Sequence, residues 1–208
     1  MAGILREAIR AGEMAPGQRL VEFDLAEQLG VTRAAVRAAL LDLTGEGLVE
    51  RITNRGARVR VIPLEEAVQI VECRAVLEGL CAAQAAERAE DENRELLRGL
   101  GERMRTAVAS GDVMAYSQLN QQLHAHILAM SGQLVAVGLL ERLNAQIVRH
   151  QFRLSLRPGR PQTSLPEHLA LIEAVCSGDA PGAERAARNH LASVAAALRQ
   201  STESTSTE

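Results

Sequence analysis

The spacing of apolar and polar positions changes character near residue 63 of this chain. Before that point the elements are short and punctuated by Gly and Pro. Ile4 to Ala11 reads as a helix stopped by Gly12, and Pro16-Gly17 reads as a turn. A second helix is predicted over Glu22–Leu29, with Phe23, Ala26 and Leu29 at helical spacing and Gly30 ending it. Thr32 suits the N-cap of a third helix running to about Thr44, in which Val36, Leu40 and Leu43 face inward at i, i+4 and i+7. The period then falls to two. Leu48–Thr53 and Ala57–Ile62 read as strands around the turn Asn54-Arg55-Gly56, with Ala57, Val59 and Val61 forming an apolar face and Arg58 and Arg60 a basic one.

After Pro63 the pattern is helical throughout. Helices are expected over Leu64–Ala89 and Asp91–Ser110, and from Gly111-Asp112 to Ser131-Gly132. Leu134–Leu156 forms one helix or two, Arg157–Pro161 a loop, and Ala180–Arg199 the last helix. Ser164–Ser177 reads as a helix that begins with a capping box, Ser164 with Glu167. The polar repeats of Ser201–Glu208 are expected to be disordered. The fold class that follows is mainly α. A winged helix-turn-helix of three helices plus a two-stranded wing occupies residues 1–62, an all-α helical bundle residues 63–200, and a tail residues 201–208.

Composition supports helix-on-helix packing. The chain of 208 residues is 47% hydrophobic but has only one Tyr, two Phe and no Trp, so Leu, Ala and Val form the cores. Cys73, Cys81 and Cys176 show no CxxC spacing and are read as buried free thiols. No run of 18 apolar residues and no leader pattern is present, which points to a cytoplasmic protein without membrane association. The net charge of −3 does not favour nucleic acid until it is divided. Residues 1–62 hold nine Arg against eight acidic residues, a balance of +1, while residues 63–208 hold fourteen against eighteen, a balance of −4. Four Arg fall within residues 51–60, with no acid after Glu50 in that stretch. A local surface is therefore the candidate for meeting phosphate.

That surface has the parts a DNA reader needs. Gly30-Val31-Thr32 is the tight turn between second and third helices, and Arg33 and Arg37 stand near the N-terminus of the third, the end that enters a major groove. Arginine can pair bidentately with guanine O6 and N7, and Thr32 with the free N–H groups beside it suits a phosphate. Arg55 at the wing tip has little structural need for its charge. Solvated surface arginines are the bland alternative.

The stretch AIRAGEMAPGQRLVEFDLAEQLGVTRAAVRAALLDLTGEGLVERITNRGARV resembles the N-terminal domain of the GntR family of bacterial regulators. PG-x-x-L, E-x-x-LA-x-x-x-GV-[ST]-R-x-x-VR-x-AL, L-x-x-x-GLV and the RGA-x-V wing all match over about fifty residues. The resemblance implies DNA contacts from Thr32, Arg33, Arg37, Arg55 and Gly56. Phe23 stands where family members often carry an operator-contacting Arg, Ala34-Ala35 replaces a common Thr-Pro, and Ala38 a common Glu. The second half resembles the FadR subfamily, with its FCD-type effector domain, in ECRAVLEGLCA, LNQQLHAHILAMSGQ, SLPEHLALIEAV and GDAPGAERAARNHL.

Asn120 and His124 lie at i and i+4 on one helix and so share a face, while His168 and His190 lie on two later helices. Imidazoles suit a first-row transition metal, and an amide oxygen can complete the set. That the three helices converge is an implication of the resemblance, in whose metal-binding members an acid or amide precedes a His by four residues and two later histidines follow. Asn120 takes the place of a commoner Asp. The implied ligands are Asn120, His124, His168 and His190, and the implied ion is divalent: zinc first, nickel or manganese as alternatives. His126 and His150 fall outside the pattern. The subfamily's usual effectors are small organic acids, so an Arg that pairs a carboxylate is expected. Arg74 is the first candidate, against the alternative of an intrahelical ion pair with Glu78, and Arg149 is the second.

The reading that follows is a DNA-binding transcription regulator, a repressor in its working sense. It binds a palindromic operator as a homodimer and responds to a small organic acid at a metal centre. A regulator for which the ion itself is the signal is the alternative. A metalloenzyme built on the histidines is the reading from another class, and it has no use for Arg33, Arg37 or the basic wing.

Overall fold

The computed structural model describes residues 1–52 and 56–200. Contacts divide the chain into two units: Met1–Pro63 with Arg142–Arg149, and Leu64–Glu141 with the residues from His150 onward.

In the first unit, α1 (Ala2–Ala11) ends where Gly12 takes a left-handed conformation and returns its N–H to the Ile9 carbonyl. Next come β1 (Arg19–Leu20), α2 (Glu22–Leu29) and α3 (Arg33–Gly45), then β2 (Val49–Ile52) and β3 (Gly56–Val59). Thr32 caps α3 as expected, its hydroxyl accepting from the Ala35 N–H at 3.2 Å. Val36, Leu40 and Leu43 are buried and pack with Leu5, Ile9, Leu20, Leu25, Val49, Ala57 and Val59.

Three details differ from the sequence reading. The wing is a three-stranded antiparallel sheet in the order β1-β3-β2, pairing Leu20 with Ala57 and Arg51 with Ala57 from opposite sides. A two-residue strand carries no periodic signal of its own. On α2 the buried residues are Leu25 and Ala26, while Phe23 is exposed. The alternation in β3 also stops early: Ala57 and Val59 are buried, but Val61 is exposed and Ile62 turns inward. The expected turn at Asn54-Arg55 and the expected tail at residues 201–208 lie outside the described residues.

The second unit holds α4 (Leu64–Arg88), α5 (Asp91–Ser110), α6 (Val113–Ser131), α8 (Arg160–Ser177) and α9 (Ala180–Arg199), together with both ends of α7 (Leu134–Ser155). Helix α4 packs along α9, and its Ala82, Ala85 and Ala86 share one core with Ala183 and Ala187. Small side chains let helix axes approach closely, which is the structural use of this alanine-rich composition. Leu97, Met104, Leu123, Leu171 and Val175 complete that core. The middle of α7 belongs to the first unit, where Ala145 joins the core and the Gln146 amide donates to the Glu46 carbonyl at 2.9 Å.

The start of α8 overturns the capping box. Gly159 turns the chain with φ 80°, and the helix begins at Arg160 with Pro161 in its first turn, where the missing N–H costs nothing. Ser164 is an interior residue whose hydroxyl bonds back to the Arg160 carbonyl at 3.0 Å. Glu167 lies two turns in and is free for another partner. Cys81 and Cys176 are buried thiols as expected, whereas Cys73 is exposed on α4.

Candidate metal centre and nucleic-acid interface

Three helices of the second unit bring His124, His168 and His190 together, so that one ring nitrogen of each lies within 4.8 Å of the others. Helix α6 contributes the row Tyr116, Asn120 and His124, at i, i+4 and i+8 on one face. Helix α8 contributes Ser164 and His168, and α9 contributes His190. His168 and His190 are buried, and His124 is partly so. The ring centroids of His168 and His190 are 4.3 Å apart, and both stand 5.4 Å from His124.

Each ring is held through Nδ1. Glu78 Oε2 lies 3.2 Å from His124 Nδ1, and Glu167 Oε2 lies 2.8 Å from His190 Nδ1. The Tyr116 hydroxyl lies 2.9 Å from His168 Nδ1. These partners leave Nε2 of each ring as the ligating nitrogen, the arrangement in which an outer carboxylate or hydroxyl orients a metal-binding imidazole. Two buried atoms support the fit. Among the described residues, Asn120 Oδ1 and His168 Nε2 are enclosed without a hydrogen-bond partner. Buried polar atoms are nearly always paired, and an amide oxygen and an imidazole nitrogen are both donors that suit a divalent cation. The residues present therefore suit a first-row ion.

The electrostatics have separable causes. Burial alone would raise the Glu78 carboxyl, but the charge of Arg74 and the hydrogen bond and charge of His124 outweigh it, holding Glu78 well below the usual carboxylate range. Burial likewise opposes the lowering of Glu167, which hydrogen bonds from His190 and Ser193 bring about. Burial pushes the Tyr116 phenol up to about 12. It also lowers His168 well below its ordinary value, with His190, His124 and Arg160 adding to the effect, and it lowers His190 against the pull of Glu167.

A pH dependence follows. Both imidazoles are held neutral in the fold, whereas the unfolded chain takes up protons as pH falls through about 6.5. The unfolded state then binds more protons, so stability is full above that value and is lost as pH drops below it. Thermal melts of the metal-free protein should show Tm falling between about pH 7.5 and 5.5. A Tm that is flat or rises over that interval contradicts the neutral burial of His168 and His190.

Arg74 is buried, with Nε and an Nη each donating to Glu78 Oε1 at 2.9 and 2.6 Å. The intrahelical pair weighed from sequence is thus the one formed, and through Glu78 it backs His124. Arg149 is exposed, on the stretch of α7 that clusters with the first unit. His126 is not among the clustered histidines. Sequence reasoning missed Tyr116, Glu78, Ser164 and the pairing of Glu167 with His190. Tyr116 and Ser164 left a local signal, standing four residues before Asn120 and His168 on the same helix faces.

In the first unit, Thr32, Arg33 and Arg37 stand at the N-terminal end of α3. Arg33 is exposed. Arg37 is exposed too, but its guanidinium forks onto Glu22 at the start of α2 at 2.7 to 3.1 Å. Arg58 reaches across the wing to Glu50 at 2.6 Å. Gly56 opens β3 with φ 87°, a conformation that side chains with a Cβ rarely adopt. Arg55 lies outside the described residues.

Comparison with known proteins accords with both halves. The family described as "Bacterial regulatory proteins, gntR family" matches residues 1–59, and the FCD domain matches residues 69–193. The chain is 27% identical over 186 residues to the "Probable D-xylose utilization operon transcriptional repressor" of Paenarthrobacter nicotinovorans, covering 88% of this chain and 80% of that protein. It is 25% identical over 197 residues to the "HTH-type transcriptional repressor RspR" of Escherichia coli (strain K12), covering 95% and 86%. The solved structure of E. coli McbR/YncC shares the fold with a TM-score of 0.76 at 23% identity, over 97% of this chain and 96% of that one.

Proposed function

The chain belongs to the gntR family of bacterial regulatory proteins and carries an FCD domain, and on that premise we propose that it is a metal-centred, effector-responsive member of the FadR subfamily. The coarse function is a DNA-binding transcription regulator, not an enzyme. Among the described residues no helix is long and apolar enough to cross a membrane.

The finer reading is that a homodimer binds a palindromic operator and that a small organic acid, bound at the ion, sets its affinity. The observation that carries it is the cluster of three histidines, each held at Nδ1, with His168 Nε2 and, one turn before His124 on α6, Asn120 Oδ1 both buried and unpaired. His124, His168, His190 and Asn120 would hold a divalent ion, zinc first, which supplies a Lewis-acidic centre for a carboxylate. None of the four ligands would bring a negative charge, and the carboxylates behind them are already paired, Glu78 with Arg74 and Glu167 with Arg160. The charge of such an ion therefore stays largely uncompensated in a buried site, and an anion is the ligand that offsets it. An effector alters DNA affinity only if it binds the competent and incompetent forms differently. The two relatives above are named repressors, and repression is the proposed sense here as well.

The test is an operator titration of metal-free protein, of protein with zinc, and of protein with zinc plus a panel of small carboxylates. Release that needs both partners supports this reading. Release by zinc alone makes the ion the signal, and no response to either sinks the proposal.

On the DNA side, Thr32, Arg33, Arg37, Arg55 and Gly56 are the proposed contacts. Arg37→Ala should weaken operator binding by about 1–3 kcal/mol, relaxing specificity rather than merely shifting the salt dependence. Unchanged affinity at fixed salt would remove Arg37 from the interface. A second copy is the proposed cover for Val76 and Leu80 on α4 and Leu134, Val135 and Leu139 on α7, apolar side chains left exposed in the single chain. Sedimentation at micromolar concentration should give a dimer, and a monomer there counts against one recognition helix per half-site.

A further inference from the structure

Two of the three clustered histidines are backed by carboxylates and one is not. Carboxylate oxygens of Glu78 and Glu167 stand against Nδ1 of His124 and His190 and accept there, which places a proton of each ring on Nδ1. His168 has a phenol there instead, and a phenol can either donate or accept. Left to itself, that contact does not decide which nitrogen of His168 carries the proton.

The decision comes from one residue further out. Ser164 Oγ lies 3.0 Å from the Arg160 carbonyl and 3.5 Å from the Pro161 carbonyl. A carbonyl oxygen only accepts, so the single serine proton is directed to the backbone. The same Oγ lies 2.7 Å from the Tyr116 hydroxyl, and with its own proton on the backbone it is left as the acceptor of the phenol's. With that proton committed, the phenol oxygen can only accept from His168 Nδ1–H. All three side chains are buried: Tyr116 is 6% exposed, Ser164 5% and His168 1%.

We infer that Tyr116 and Ser164 are positioning residues that fix His168 in one tautomer, with the proton on Nδ1 and the Nε2 lone pair left for the centre. The polarity runs from His168 through Tyr116 and Ser164 to a backbone carbonyl, so a helix of the bundle sets the tautomer. The spacing serves the same end. Ser164 precedes His168 by one turn of α8, and Tyr116 precedes Asn120 by one turn of α6, so each helix carries an orienting hydroxyl beside its ligand. Among the described residues, His168 Nε2 is a buried imidazole nitrogen without a partner, as a ligand readied in this way should be.

The tautomer belongs to the metal-free chain, whereas its consequence for an ion rests on the metal-centre reading above. Removing the Ser164 hydroxyl frees the Tyr116 proton to turn onto Nδ1, which drives His168 to the Nε2–H form. Removing the Tyr116 hydroxyl leaves Nδ1 without its acceptor and the tautomers mixed. Either change should weaken metal binding on the order of 10- to 100-fold, the usual effect of losing an outer-shell partner.

The experiment uses the full chain, metal-free and labelled with 15N-histidine, with the ring nitrogens read by long-range 1H–15N correlation at mildly alkaline pH. Wild-type His168 should be the Nδ1–H form, Ser164→Ala should convert it toward Nε2–H, and Ser164→Thr should restore the wild-type spectrum. A wild-type His168 in the Nε2–H form, or a Ser164→Ala spectrum identical to wild type, overturns the inference. The second arm measures zinc affinity against a competing chelator. Tyr116→Phe and Ser164→Ala should both bind more weakly, with helical circular dichroism unchanged. Wild-type affinity in both variants, beside loss in His124→Ala, overturns the link to the metal. If wild-type protein binds no zinc, the metal-centre reading fails together with the affinity arm, and the tautomer still stands or falls on the spectra.

Discussion

Replacing Glu78 with alanine should lower the stability of the protein by about 3–5 kcal/mol, the cost of leaving one member of a buried ion pair without the other. Arg74 and Glu78 are 7% and 5% exposed and joined by two hydrogen bonds at 2.9 and 2.6 Å. The alanine variant strands a guanidinium in the bundle and also removes the acceptor that holds His124 Nδ1. Arg74→Ala should cost a similar amount, because it strands the carboxylate instead. Glu78→Gln keeps a hydrogen-bonding group of the same shape and should fall between wild type and alanine. Urea unfolding at constant m reports the difference directly. A loss below about 1 kcal/mol would mean that the pair behaves like a solvated surface contact. The result also governs how Arg74 is judged as an effector ligand: a lost response in Arg74→Ala means a lost contact only if the variant remains folded.

The second large effect concerns the histidines. A ligand that binds only the folded state stabilises it by about 2.7 kcal/mol at a hundred times its dissociation constant. Wild-type protein should therefore show a clear rise in Tm with zinc. The double variant His124→Ala, His168→Ala should show none, and elemental analysis should find it without metal, while basal DNA binding stays near wild type. Full metal content in the double variant would mean that the ion sits elsewhere. Loss of the metal with a normal effector response would mean that the pocket works without it.

How far the sequence led depended on how local each determinant is. The cap at Thr32 and the inward face of α3 follow from residues three or four apart, and they were legible. Asn120 and His124 could be paired for the same reason. Ser164 and Glu167 show the limit of local rules. Their spacing satisfies a capping box, yet Gly159 and Pro161 start the helix a turn earlier, and the carboxylate of Glu167 goes to His190 on the next helix. Glu78 was visible only as the partner of Arg74, because its contact to His124 crosses between α4 and α6. Phe23 matched the helical period on α2, but the face that packs inward is set by Leu25 and Ala26. Strand β1 owes its existence to pairing with β3, which two residues cannot announce.

Tyr116 is the chain's one tyrosine, and there is no tryptophan. Emission excited in the tyrosine band therefore comes from a single phenol, and that phenol is bonded to His168. The one phenol fluorophore is hydrogen-bonded to a member of the histidine cluster, so no dye or engineered probe is needed to watch that spot. An open-shell ion such as nickel or manganese would darken the emission, whereas closed-shell zinc would leave it bright. If the ion sits at the histidines as proposed, brightness alone would distinguish these metals in the unlabelled protein.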